Sequence, residues 1–219
     1  MKETRLQDDK TDFTAALRTR GCAVCNHVIK AARDFFAKWQ YALAADEKAQ
    51  SEFAGEIGFC PTHMWQLHEM SSSWGESIGF PRLFEHISEL LDRAEPCPIE
   101  QIIRTPRTCR VCKMLREAES AYVAKLRDFL LDPSSKECYS RCEGVCLRHF
   151  GQLLAVSTHD LCLFLRRETS KRFRKLAAEM YNYAAKREAV RRDLINRDEE
   201  DAALRALIHI ASAKDCSAP

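Results

Sequence analysis

The chain has 219 residues, enough to bury a core as one domain or as two of about 100 residues, so no metal is needed merely to make it globular. Its 34 Lys and Arg stand against 32 Asp and Glu, which excludes a whole-protein field that would draw nucleic acid or an acidic membrane. With only 7 Gly and 7 Pro and with much Ala, Leu, Glu, Lys and Arg, the composition favours helices, and almost no strand is expected.

The amino-terminal stretch MKETRLQDDKTDF has no apolar core or cleavage site of the secretory type, and nowhere do 18 apolar residues run uninterrupted. The expectation is a soluble, cytoplasmic protein with no membrane partner. After it comes GCAVC, with Cys22 and Cys25, and then a segment in which Val24, Val28, Ala32, Phe35, Phe36, Trp39 and Leu43 recur at intervals of three and four. That period predicts an amphipathic helix of about five turns opened by the C-x-x-C. A second helix is expected to begin near GFCPTH, which holds Cys60 and His63. The stretch from Ser71 reads as a connecting loop, a helix over about Pro81 to Arg93, and a linker punctuated by Pro96, Pro98 and Pro106.

The pattern then starts again. TCRVC supplies Cys109 and Cys112, and Val111, Leu115, Ala118, Tyr122, Leu126, Phe129 and Leu130 repeat the helical period. Asp132-Pro133-Ser134-Ser135 reads as a turn, and GVCLRH brings Cys146 and His149. From His159 to about Lys186 a long helix shows Leu161, Leu165, Phe173, Leu176, Met180 and Tyr183 in register, and RDEEDAALRALIHIAS adds a last helix with acidic residues in its first turn. The terminal AKDCSAP is expected to fray.

Cys25 and Cys60 are separated by 34 residues and Cys112 and Cys146 by 33, so the order C-x-x-C, spacer, C-x-x-H occurs twice. Between these ligands Phe35 matches Tyr122, Ala37 matches Ala124, Lys38 matches Lys125 and Leu43 matches Leu130; beyond them Gln66 and Leu67 match Gln152 and Leu153. A tandem duplication of a unit of about 85 residues explains all of this in one event. The expected fold is all-α: two tandem helical-hairpin repeats, 1–95 and 96–158, each closed by its own Cys₃His metal site, with a helical extension over 159–219 packing on them.

The 11 cysteines are odd in number and cannot all form disulfides, and in a reducing compartment metal ligation or redox chemistry is the better reading. Two thiols spaced C-x-x-C and a C-x-x-H pair supply three sulfurs and one nitrogen, a set that suits structural Zn²⁺. The same donors could take an iron–sulfur cluster, [4Fe-4S], although all-Cys ligation is the commoner form there. Ordinary buried core thiols are the competing reading, and the twice-repeated spacing argues against it. A c-type haem is excluded because Asn26 and Lys113, not His, follow the C-x-x-C pairs; a thioredoxin-like motif lacks its preceding strand. The expected metal ligands are Cys22, Cys25, Cys60 and His63 for one ion, and Cys109, Cys112, Cys146 and His149 for the other.

Cys138 and Cys142 stand where the first copy has Glu52 and Glu56, and read as additional ligands, as a redox-sensitive pair, or as incidental thiols. Cys97, Cys162 and Cys216 have no matching partners. His27 reads as a neighbour of the first site; His68, His86, His159 and His209 read as helix-face residues. The basic run 166–192, including RRETSKRFRK, offers nucleic acid a local surface, although a solvated helix face followed by RDEED is the favoured reading. Trp39, Trp65 and Trp74 read as core residues or, more sharply, as a ligand pocket.

CAVC with GFCPTHMWQL, and CRVC with GVCLRHFGQLL, resemble a bacterial family of unknown function whose members carry Cys-Pro-Val/Ile-Cys followed by Gly-Phe/Leu-Cys-x-x-His in two copies. Ala23 and Arg110 replace the usual Pro. The resemblance implies an all-helical fold with metal sites and supplies no activity. The reading is therefore a non-enzymatic metal-binding scaffold or adaptor with a protein partner, and in the alternative an iron–sulfur protein for electron transfer or oxidant sensing. A hydrolase with an open metal position is disfavoured, since four protein ligands close a site.

Overall fold

Residues 13–92, 105–187, 192–211 and 213 are described by the structure, a computed structural model. Among them there is no strand. Residues 13–17 are helical, and after them, in chain order, come the α-helices α1 (Ala23–Ala45), α2 (Glu47–Gly55), α3 (Pro61–Met70), α4 (Ser73–Gly79), α5 (Pro81–Leu91), α6 (Arg110–Phe129), α7 (Pro133–Ser140), α8 (Leu147–Ala155), α9 (His159–Lys186), α10 (Arg197–Glu200) and α11 (Ala202–Ala211), with a 3-10 turn at Arg192–Leu194 before α10. The all-α expectation is met, and the C-x-x-C helices, α1 and α6, run to 23 and 20 residues, somewhat longer than the five turns expected.

Two short helices replace an expected turn and an expected loop, and a third fills the stretch between α1 and GFCPTH. Asp132-Pro133 starts α7, because a proline fits the first helical position as well as it fits a turn. Glu47 starts α2 behind Asp46, whose side chain accepts the Lys48 amide at the N-cap. Seven residues of the expected loop after Ser71 form α4, capped by Ser72 accepting from the Gly75 amide. Each repeat is accordingly a long helix, a short helix and a C-x-x-H helix, rather than a simple hairpin.

Two compact units divide the chain, and they are not the sequence copies. One draws its described residues from Met1–His27 and Glu119–Ser217, the other from Val28–Ala118. In the first, α9 packs against α10 and α11, and α8 packs against α9 and α11. Its core includes Leu126, Leu130, Leu153, Leu161 and Leu165, all fully buried, with Phe13 resting on Tyr122 and Phe129 at 5.0 and 5.4 Å between ring centres. In the second, α2 packs on α5. Phe53 is its fully buried centre, edge-on to Phe59 at 5.1 Å and tilted against Phe80 at 5.6 Å. Burying one such ring contributes roughly 2–3 kcal/mol.

The glycine of each G-x-C-x-x-H motif has a backbone reason. Gly58 and Gly144 sit at φ +65° and +79°, in the left-handed region where a side chain is strained. Both turn the chain from a short helix into the C-x-x-H helix. The first copy seals the end of α2 with its own backbone: Ile57 at φ +55° is followed by Gly58, whose amide donates to Phe53 O at 2.9 Å. In the second copy a side chain does this work. Arg172 of α9 donates to Cys142 O at 2.8 Å and to Tyr139 O, and its guanidinium lies 4.3 Å from the centre of the Tyr139 ring.

The Trp expectation is only partly met. Trp39 stacks on Phe35 under the guanidinium of Arg110, but Trp65 and Trp74 are 68% and 71% exposed. No helix among the described residues is long and apolar enough to cross a membrane.

Candidate metal centres

Each of the four motifs starts a helix in the same way. Cys22, Cys60, Cys109 and Cys146 sit just before the first helical residue, and their carbonyls accept from Asn26, Met64, Lys113 and Phe150, closing the first turns of α1, α3, α6 and α8. Three residues on come Cys25, His63, Cys112 and His149. An N-cap side chain and the side chain at the third helical position both face the space over a helix start, which is the local reason for the two-residue spacing. The unpaired amides and the positive end of the helix dipole at that place favour thiolate.

The eight expected ligands form two clusters, but they combine differently from the expectation. Cys22 and Cys25 meet Cys146 and His149, all in the first unit; Cys60 and His63 meet Cys109 and Cys112, all in the second. Each site therefore joins the C-x-x-C of one copy to the C-x-x-H of the other, and the within-copy pairing is corrected. Either pairing yields a Cys₃His set, so ligand count could not decide between them. What decides is packing: the compact units exchange the C-x-x-C ends of the two copies.

In the first site the Nδ1 of His149 lies 3.1 Å from Cys146 Sγ, 3.3 Å from Cys22 Sγ and 3.5 Å from Cys25 Sγ, and the sulfurs of Cys25 and Cys146 are 3.9 Å apart. In the second, the Nδ1 of His63 is 3.2, 3.3 and 3.6 Å from the sulfurs of Cys60, Cys112 and Cys109, with Cys60 and Cys112 separated by 3.7 Å. All four donor atoms of each set lie within 4.8 Å of one another, and every ligand is buried. Two buried Cys₃His clusters of this shape can hold a metal ion.

The electrostatics show how these donors crowd one another. Burial pushes the Cys22 thiol far up, reinforced by its sulfur neighbours Cys146 and Cys25. Burial also raises Cys60 and Cys112. At Cys109 burial works in the same direction, yet His63 and the amides of Cys60 and Cys112 prevail and bring that thiol down to about 6. His149 is driven the other way: burial opposes its charge, but Cys146, Cys25 and Glu119 hold a proton on it up to about 11. The raised thiols and the proton held on His149 are what a bound cation has to displace, so occupation of these sites releases protons.

Behind His149 stands a residue that the repeat pattern left unnoticed. Glu119 of α6 is almost fully buried, and its Oε1 is 2.6 Å from His149 Nε2, the ring nitrogen facing away from the sulfurs. Arg148 donates to the same carboxylate at 3.1 Å, and Gln152 hydrogen-bonds it as well. Burial alone would raise the Glu119 carboxyl; His149 and Arg148 overrule it and hold it low. The signal available in the sequence was a mismatch: the positions in register with Glu119 and Arg148 in the first copy are Ala32 and Thr62.

Cys138 and Cys142 stand outside both clusters. Cys142 donates from sulfur to Tyr139 O at 3.0 Å and accepts from the Gly144 amide at 3.3 Å, serving the helix end. Their counterparts Glu52 and Glu56 pair instead with Arg110, at 3.3 and 3.7 Å, and the residue in register with Arg110 is Ala23. The two thiols therefore replace the acids of an ion-pair cluster whose basic member is also replaced. Cys162 points its sulfur at Leu154 O and Ser157 O where α8 passes into α9; Cys97 and Cys216 lie outside the described residues, as do Pro96, Pro98 and most of AKDCSAP. His27 stacks on Tyr122 at 4.2 Å. Along α9, Arg167 and Lys171 pair with Glu168, Lys175 with Glu179, and Lys186 with Glu199. No family model, curated protein or solved structure matches the chain.

Proposed function

We propose that the protein is a structural zinc scaffold that binds two Zn²⁺ per chain and presents its helical surface to a protein partner. The observation that carries this reading is the size of the donor clusters. Zinc bonds of about 2.3 Å to sulfur and 2.0 Å to nitrogen make a tetrahedron with edges of about 3.8 Å between sulfurs and 3.5 Å from sulfur to nitrogen. The sulfur pairs at 3.9 and 3.7 Å and the sulfur–nitrogen contacts of 3.1 to 3.6 Å lie close to those edges. A [4Fe-4S] cluster takes one ligand per iron and so needs its four donors farther apart than a single ion does.

Four protein donors complete the coordination and leave no position for water or substrate, so the metal acts in folding rather than in a reaction. The exposed rings of Trp65 and Trp74 support the adaptor part of the reading, because large aromatic side chains left in water are characteristic of contact surfaces. Elemental analysis and an absorption spectrum of protein purified without air test the proposal. Two zinc per chain and no visible colour are expected; iron with acid-labile sulfide would overturn it in favour of the redox alternative.

A further inference from the structure

The two sites share their ligands' types and burial but differ in what stands behind the histidine. In the first, His149 Nε2 and Glu119 Oε1 are 2.6 Å apart, and Arg148 and Gln152 hold the carboxylate from its other sides. In the second, the position in register with Glu119 is the buried Ala32 and that of Arg148 is Thr62, and the ring of Phe36 lies tilted against His63 at 6.0 Å between centres. Among the described residues no carboxylate pairs with His63: its polar contacts are the three sulfurs.

A carboxylate on the far nitrogen of a metal-binding imidazole fixes the tautomer, since the Nε2 proton is donated to it and the Nδ1 lone pair is left for the metal. It also fixes the ring's orientation and raises the basicity of Nδ1. Arg148 offsets the added negative charge, so the acid can stay ionised in a buried place.

Resting on the zinc reading above, we propose that the two sites are built unequal: Glu119 is a positioning residue that makes the Cys22, Cys25, Cys146 and His149 site the tighter one. The Cys60, His63, Cys109 and Cys112 site, which lacks such a partner, gives up its metal first. Removing the partner of a metal-bound histidine lowers affinity by about 10- to 100-fold, and that is the scale of difference expected here.

The test is equilibrium competition between zinc-loaded full-length protein and a chromophoric chelator, beginning from measured metal content. Wild type should release its two zinc ions in two steps, and Cys60→Ser should retain only the tighter step. Glu119→Gln keeps the shape and a hydrogen-bond acceptor but loses the charge; it should weaken the tighter step about 10-fold or more and leave the other unmoved. A cobalt-substituted sample should show a changed visible spectrum at that one site. Release of both ions in a single step from wild type, or an equal effect of Glu119→Gln on both steps or on neither, would overturn the inference while leaving the zinc reading intact. Fewer than two zinc per chain at the outset would sink that reading, and this inference with it.

Discussion

The sulfurs of Cys25 and Cys146 lie 3.9 Å apart although 121 positions separate them in the chain. The other site brackets a shorter stretch, with Cys60 and Cys112 separated by 52 positions, all of them inside the longer bracket. A metal at either site therefore closes a long loop. Closure entropy grows only logarithmically with length, so the two brackets differ by about 0.8 kcal/mol on that account. Loop length hardly distinguishes the sites; the partner of the histidine does.

Ligand exchange between the copies makes a clear prediction for a divided chain. Cut within 93–104, the protein falls into one piece with Cys22, Cys25, Cys60 and His63 and another with the remaining four ligands. Neither piece alone should bind zinc in a four-ligand site, and mixing them should restore two zinc per pair. Native mass spectrometry of the separate and mixed pieces checks this. One tightly held zinc in each isolated piece would mean that the copies can close on themselves.

Paired substitutions count the sites in the intact chain. Cys22→Ser with Cys146→Ser removes two ligands from one cluster, so one zinc should remain; Cys22→Ser with Cys60→Ser damages both clusters, so none should be held tightly. Within-copy pairing would reverse the two results. Because zinc in such sites contributes on the order of 10 kcal/mol of apparent folding free energy, the second double variant should lose cooperative thermal unfolding in a circular-dichroism melt.

Helices and ligands were legible because each rests on local rules. Leu115, Tyr122 and Leu126 keep a helical period wherever the helix goes, and a Cys with a His three positions on is a donor pair at any helix start. The choice of partner for Cys22 and Cys25 was not legible: Cys60 and Cys146 carry the same motif, and only packing between distant segments selects one. Short helices were hidden for a different reason, since Asp132-Pro133 and Ser71-Ser72 serve a turn and a helix start equally well. Glu119 was hidden by the repeat itself, which draws the eye to matches while the informative position is a mismatch with Ala32.

Gly144 should tolerate substitution less well than Gly58. Alanine at either site meets a left-handed backbone at a cost of about 1–2 kcal/mol. At Gly144 the new methyl would also stand 2.6 Å from Arg172 Nη1, whereas at Gly58 the nearest atom, from Leu83, is 3.3 Å away. Arg172 cannot yield freely, since it holds Cys142 O and Tyr139 O at the end of α7. Denaturant unfolding of the zinc-loaded variants should place Gly144→Ala below Gly58→Ala; equal midpoints would mean that the guanidinium moves aside at no cost.

Acid should release the carboxyl-terminal helices through Glu199. Its carboxylate accepts from Lys186 Nζ at 2.7 and 2.8 Å and from the Asn196 amide at 3.1 Å, while Asn196 Oδ1 accepts from the Glu199 amide at 3.0 Å, completing a capping box at the start of α10. Lys186 first, and the Asn196 amide second, hold this carboxyl below the ordinary glutamate value of 4.5. A group whose pKa is depressed on folding contributes stability that is fully present above its unfolded value and is lost as pH falls through the folded one. Wild type should therefore exceed Glu199→Gln in stability at neutral pH, and the gap should start to close as pH drops below about 5 and vanish once the carboxyl is protonated in both states. Taking the difference between the two proteins at each pH cancels the acid release of zinc that both undergo. A gap that stays constant from pH 7 down to about 3 would show that the capping geometry, and not the charge on Glu199, stabilises this end of the protein.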